Sequence, residues 1–260
     1  MLDTLSPPRR RLALVAFAAV VVAVLVVGGL VVHASRVDDA VAQDQPGPVL
    51  VVPGYGGSLT SLAPLTAELE REGRDVVVVR ATGGGTGDLR VQANRLGDAA
   101  KQALERTGAS SVDVIGYSAG GVIARLWVRD GGGAGLARRV LTLGSPHHGT
   151  DLAALATEVA GSCPLACQQL GPDSDLLRAL NAGNETPAGP IWITVRSNDD
   201  QVVTPTGSAM LDGALNLLIQ DICSSEKTPH SGLPGDPVVL AVLPAVLGSG
   251  APRAPREVNC

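Results

Sequence analysis

At 260 residues the chain is long enough for one large α/β domain behind a leader. Apolar residues make up 45% of it, yet it has only two Trp, two Tyr and one Phe, so any core must be packed from Val, Leu, Ala and Ile. A formal net charge of −5 with no clustered basic face excludes nucleic acid as an expected partner.

Residues 1–35 read as a separate unit. Arg9-Arg10-Arg11 precede an apolar run from Leu12 to Val32, and Val32-His33-Ala34 is a small-residue cleavage candidate. The run exceeds the roughly 7–15 residues of a usual signal core and reaches the roughly 20 of a membrane span, so a cleaved signal peptide and an uncleaved N-terminal anchor both stay open. The arginines are held on the cytoplasmic side, which sends everything after Ala34 outward and makes the domain extracytoplasmic in either case. A membrane is an expected partner only through this segment, if it is uncleaved. A buried core helix would leave three arginines capping a helix without a polar face.

Residues 36–47 are polar and end near Pro46-Gly47-Pro48, as a linker would. The domain is expected over 48–260. Strand-like runs at Val49–Val52, Val76–Arg80, Val112–Ile115, Val140–Leu143 and Ile191–Val195 alternate with helical patterns near Ser61–Glu72, Leu89–Thr107 and Gly121–Arg129. Unbroken β-branched runs mark strands buried on both faces. Their alternation with helices marks an α/β fold with a mostly parallel central sheet and helices on both faces. No strand is expected between Leu143 and Ile191; residues 150–190 read as a cap or binding insertion, or as plain covering helices, with one helix near Leu152–Val159. Thr82-Gly83-Gly84-Gly85-Thr86-Gly87 lacks the Gly-Lys-Ser/Thr of a phosphate loop, so it reads as a turn.

The four cysteines, Cys163, Cys167, Cys223 and Cys260, all follow the leader. An even number in an oxidising compartment points to two disulfides, with three pairings allowed by sequence. The expected pairs are Cys163–Cys167, close in sequence, and Cys223–Cys260, which ties the Pro-rich tail to the body. A Cys-x-x-x-Cys zinc site would want a nearby histidine, and none is present.

The strongest chemical signal is Gly116-Tyr117-Ser118-Ala119-Gly120, between the strand ending at Ile115 and the helix starting near Gly121. A serine on a tight strand-to-helix turn is a nucleophile elbow; flanking glycines remove Cβ atoms that would strike neighbouring backbone. The turn lifts Ser118 above the sheet edge and sets the Ala119 N–H at a helix N-terminus, where an oxyanion would form. A second signal is the strand Val49–Val52 running into Pro53-Gly54-Tyr55-Gly56-Gly57-Ser58. A third is Gly144-Ser145-Pro146-His147-His148-Gly149-Thr150 after a central strand. A fourth is Asp200-Gln201-Val202-Val203 beyond Ile191–Val195, at the strand end where open α/β sheets bind ligands.

Together the four motifs resemble the bacterial lipases and esterases of the α/β-hydrolase superfamily, in particular exported actinobacterial lipase-like enzymes and the class 2 lipases. The match runs from Val49 to about Leu240. The resemblance implies an α/β-hydrolase fold and an acyl-ester hydrolase, a lipase or simple esterase, that needs no cofactor and no metal. Its substrate would be a small-molecule or lipid ester. It further implies that Tyr55, after the first glycine of a His-Gly-x-Gly-Gly-like loop, supplies a second oxyanion N–H; Pro53 stands where those enzymes carry His. The acid is Asp200 rather than Asp199, because the family's Asp is followed by one residue and two branched apolars. The triad of this fold runs Ser, acid, His along the chain, which selects His230 from His33, His147, His148 and His230. His147 and His148 would build the site wall or pack under it, since adjacent side chains point apart and seldom share a metal. An acyltransferase or thioesterase on the same scaffold, and a catalytically silent surface-binding protein, are the alternatives. Oligomeric state is not legible.

Overall fold

The computed structural model describes residue 8 and residues 18–24, 41–160, 163–255, 258 and 260. It divides into two units, Met1–Ala40 and Val41–Cys260. In the first, residues 18–24 are helical and exposed. The leader's arginines, its cleavage candidate and most of its apolar run lie outside the described residues. No described helix is long and apolar enough to cross a membrane.

The second unit is built on six strands: β1 Val49–Val52, β2 Val76–Val78, β3 Val112–Tyr117, β4 Ala137–Leu143, β5 Ile191–Arg196 and β6 Leu215–Leu218. They form one sheet in the order β2-β1-β3-β4-β5-β6, with every pairing parallel. Strand side chains alternate between faces. Leu50, Val52, Val112, Val114 and Val140 pack on one side with helices α2 (Leu89–Thr107) and α3 (Ala119–Asp130). Val49, Val51, Ile115, Leu141, Ile193 and Val195 pack on the other with α1 (Ala63–Arg71) and the C-terminal α8 (Pro237–Leu247). The chain is thus the parallel sheet with helices on both faces that the alternating runs implied.

Expected and observed elements differ in particular places. β2 ends at Val78, two residues short of the expected run, although the Val79 N–H still donates to Val51 O at 2.9 Å. β6 was not anticipated, nor were α5 (Leu165–Gln169), α6 (Asp175–Asn181) and α7 (Ile219–Ile222); the expected helix near Leu152 is α4 (Asp151–Ala160). β6 is four residues long and runs directly into α7, so neither period develops.

At the N-terminal end of the strands, Asp113 of β3 is fully buried between Arg138 and Arg74, whose guanidinium groups reach it at 2.5 and 2.6 Å. Arg138 also donates to Leu247 O, Gly248 O and Gln43 O, so the same side chain holds the end of α8 and the segment before β1. Carbonyls at a helix C-terminus lack intrahelical donors and favour such a cation. Both cysteine pairs, Cys163–Cys167 and Cys223–Cys260, are disulfide-bonded.

Candidate active site

Strand order places the site. From β1 the chain crosses outward to β2, then returns to β3 on β1's other side, so the C-terminal ends of β1 and β3 flank a topological switch point. The loop Pro53–Gly57 leaves β1 there, and Ser118 leaves β3.

Ser118 has φ 54° and ψ −125°, and among the described residues it is the only non-glycine at positive φ. Such strain persists only where surrounding structure enforces it. The Ser118 N–H donates to Leu143 O at 2.8 Å, extending the β3–β4 ladder one residue past the strand, after which α3 starts at Ala119. Close backbone contacts complete the turn. A Cβ on Gly116 would lie 2.5 Å from Gly121 N, and one on Gly120 would lie 2.3 Å from Val52 O. Any other residue at either position would force the elbow off the sheet.

From the elbow a hydrogen-bonded chain runs inward. Ser118 Oγ lies 3.0 Å from His230 Nε2, and His230 Nδ1 lies 2.7 Å from Asp200 Oδ2. The other Asp200 oxygen accepts from the Val202 and Val203 N–H groups, each at 2.9 Å. Asp200 and His230 are both buried, whereas Ser118 is partly open. Asp200 Oδ2 accepts only from Nδ1, so Nδ1 carries a proton and Nε2 faces the serine hydroxyl as an acceptor. Asp199 goes elsewhere, accepting from Gln220 Nε2 at 3.1 Å.

The imidazole is held from three directions. The Tyr117 hydroxyl donates to the His230 carbonyl oxygen at 3.1 Å, and its ring lies 5.2 Å from the imidazole centroid. Burial, and then the charge of Asp200, push the Tyr117 phenol up to about 12, so it is a neutral donor at ordinary pH. Thr228 donates its hydroxyl to Asp236, which caps α8 through Val238 N at 2.8 Å and Val239 N at 3.1 Å and so ties the histidine loop to a helix. Gly144, at φ 53°, leaves the space in between: a Cβ there would lie 3.0 Å from Asp200 Oδ2 and 3.2 Å from His230 Nδ1. Sequence reasoning gave Tyr117 and Gly144 no part in the site. Their signal was position alone, Tyr117 as the residue before Ser118 and Gly144 as the first residue after β4.

Ala119, beside Ser118, is the first residue of α3, so its N–H has no intrahelical acceptor. Tyr55 sits in the β1 loop with its side chain 43% exposed. That loop is braced by Gly83–Gly85: Gly56 N donates to Gly85 O at 3.4 Å. The glycine run that fails as a phosphate loop therefore supports the neighbouring loop.

His147 and His148 separate, as adjacent residues should. His147 is fully buried, with Nε2 3.1 Å from Thr142 Oγ1; burial, then Arg125 and then His148, hold its imidazole well below the ordinary value, so it is neutral. His148 points outward to Glu185 at 2.7 Å. The residues around them shape the cleft: a cavity of about 320 Å3 opens beside Ser118, lined by Tyr55, Pro146, Thr150 and Val203 among others, none of them charged.

The model of the family Lipase (class 2) matches residues 101–231, from the middle of α2 to the residue after His230. Among solved structures the chain is similar to Aspergillus fumigatus lipase B at 20% identity and a TM-score of 0.68, covering 80% of this chain and 54% of that one. It is also similar to mature Bacillus licheniformis lipase BlEst2 at 18% identity and a TM-score of 0.66, covering 78% of this chain and 93% of that one. The chain thus spans about half the length of the fungal lipase and nearly all of the bacterial one. No curated protein gives a significant match to the sequence.

Proposed function

Because the chain belongs to the class 2 lipase family, we propose that it is a serine carboxylic-ester hydrolase with Ser118 as nucleophile, His230 as general base and Asp200 as the acid that orients it. The observation that carries this reading is the unbroken Ser118 Oγ to His230 Nε2 to Asp200 Oδ2 chain, at 3.0 and 2.7 Å. His230 Nε2 takes the Ser118 hydroxyl proton while Oγ bonds to the ester carbonyl carbon. The carbonyl oxygen becomes an oxyanion held by the Ala119 and Tyr55 N–H groups. Collapse breaks the bond to the alcohol oxygen, which leaves with the proton from Nε2. Water then gives a proton to Nε2 and attacks the acyl-enzyme; the acid departs and Ser118 regains its proton. Asp200 stabilises the imidazolium without taking up a proton. None of these steps calls for a cofactor.

Uncharged walls favour esters whose acyl group is hydrocarbon, since burying a charge there would cost several kcal/mol. Two disulfides support folding in an oxidising, extracytoplasmic compartment. The segment up to Ala34 would direct that export, whether it is cleaved or kept as an anchor. The test is hydrolysis of p-nitrophenyl esters by the full chain beside Ser118→Ala and His230→Ala. Activity lost in both variants supports the scheme; full activity in either one refutes it.

A further inference from the structure

The cavity beside Ser118 has unusual walls. Helix α4 contributes Leu152, Ala153 and Ala156 to the lining, the two alanines three residues apart and therefore on one face of the helix. The lining also includes both Cys163 and Cys167. Cys167 lies on α5, and α5 is fastened to the body at several points. Ala166 N donates to Thr86 O at 3.1 Å, Gln169 Oε1 accepts from Leu89 N at 2.8 Å, and Gln169 Nε2 donates to Asp88 Oδ1 at 2.8 Å. The disulfide fixes Cys163 to that anchored helix, and Gln168 Nε2 donates to Cys163 O at 2.6 Å. The start of α4 is pinned to the acid loop through Asp151 N to Thr204 O at 2.9 Å. A leucine wall yields by rotating its side chain; a covalent bridge on an anchored helix does not.

We propose that the Cys163–Cys167 disulfide is a specificity-determining wall of an acyl-chain pocket with an Ala153 and Ala156 floor, and that it restricts the enzyme to acyl groups of medium length. The inference rests on the serine-hydrolase reading above, because the acyl group stays bonded to Ser118 through the second half of the reaction and must occupy the cavity that Ser118 lines. The cavity is apolar and bounded, so a lengthening acyl chain gains contacts in it until it meets the disulfide. Each methylene that enters adds up to about fourfold to kcat/KM, the equivalent of its burial energy, and the gain stops where the wall is met.

The experiment is a kcat/KM series of the full chain on p-nitrophenyl esters from acetyl to hexadecanoyl, with the alcohol constant and each ester kept monomeric. The wild type should climb to a maximum at medium length and fall beyond. Cys163→Ser/Cys167→Ser should raise the hexadecanoyl-to-decanoyl ratio at least tenfold. Ala156→Leu, which fills the floor and leaves the disulfide intact, should lower the decanoyl-to-butanoyl ratio at least tenfold. A hexadecanoyl-to-decanoyl ratio in the folded double variant that superposes on the wild type overturns the proposal, as does a wild-type profile without a maximum. If the double variant does not fold, an unchanged ratio in Ala156→Leu overturns it alone. Labelling of wild-type Ser118 by a fluorophosphonate separates the two readings: labelled protein with a flat profile sinks only the pocket, whereas folded protein that neither labels nor hydrolyses any ester sinks the hydrolase reading and the pocket with it.

Discussion

Replacing Asp200 by Asn tests the polarity of the hydrogen-bonded chain at almost constant shape. Oδ1 accepts from Val202 N and Val203 N at 2.9 Å each, and both are donors only, so the amide oxygen of Asn must take that place. The amide NH2 then faces His230 Nδ1 at the position where Oδ2 lies 2.7 Å away. Nδ1 has to become the acceptor, which moves the imidazole proton to Nε2. There it meets the Ser118 hydroxyl, 3.0 Å away, as a second donor, and the base can no longer take the proton. A histidine in the wrong tautomer costs about 10^4-fold in kcat in a Ser-His-Asp site, or roughly 5 kcal/mol of barrier. Stability should change far less, since the two backbone bonds survive. The assay is kcat on a short p-nitrophenyl ester together with Tm by circular dichroism, beside Asp199→Asn. Asp199 bonds Gln220 and not His230, so its variant should stay within about threefold, the size of a lost surface hydrogen bond. A Asp200→Asn protein within tenfold of wild type, or an Asp199→Asn protein with the larger loss, would refute the reasoning.

Tyr117→Phe removes the hydroxyl that donates to His230 O and keeps the ring; a loss of about 1 kcal/mol in stability and a several-fold fall in kcat with little change in KM are expected by urea unfolding and steady-state kinetics. Gly120→Ala places a methyl 2.3 Å from Val52 O, so chemical denaturation should show a loss of about 1–3 kcal/mol or failure to fold. His147 supplies a pH dependence. Buried neutral, its folded value lies well below that of the unfolded chain, so the unfolded state binds the extra proton; stability is intact above about pH 6.5 and falls as pH drops below it, by up to about 1.4 kcal/mol per unit. His147→Gln should flatten that slope in unfolding curves taken between pH 6.5 and 4.5, and an unchanged slope would contradict the assignment.

The parallel sheet was legible because Val49–Val52, Val140–Leu143 and Ile191–Val195 are short runs rich in large apolar residues, and Val112–Ile115 is one interrupted only by Asp113, and α2 because its 19 residues repeat an apolar period up to Gly108. Ser118 and Asp200 were legible because each follows a strand that the pattern also marks, and His230 because it is the one histidine downstream of both. The hydroxyl of Tyr117 was not, since it reaches a carbonyl 113 positions away, and spacing carries no trace of that contact. Gly144 looked like an ordinary loop glycine until the Asp200–His230 pair occupied the space its missing Cβ leaves. The cavity was illegible for a similar reason. Ala153, Ala156 and the two cysteines have no periodic signature of a pocket, which exists only because α4 and α5 meet the acid loop. Asp113, inside the run Val112–Ile115, and Arg138, ahead of the run Val140–Leu143, are charges that composition assigns to the surface and the fold buries at the N-terminal end of the strands.

The central claim is that Ser118 is a nucleophile activated by His230. Mass spectrometry of the full chain after brief exposure to a fluorophosphonate tests it most directly. One adduct per chain is expected, on the peptide that contains Ser118, formed at least a hundredfold more slowly in His230→Ala, as removal of a general base requires. Folded protein that forms no adduct, or one carried by another serine such as Ser145, would contradict the account.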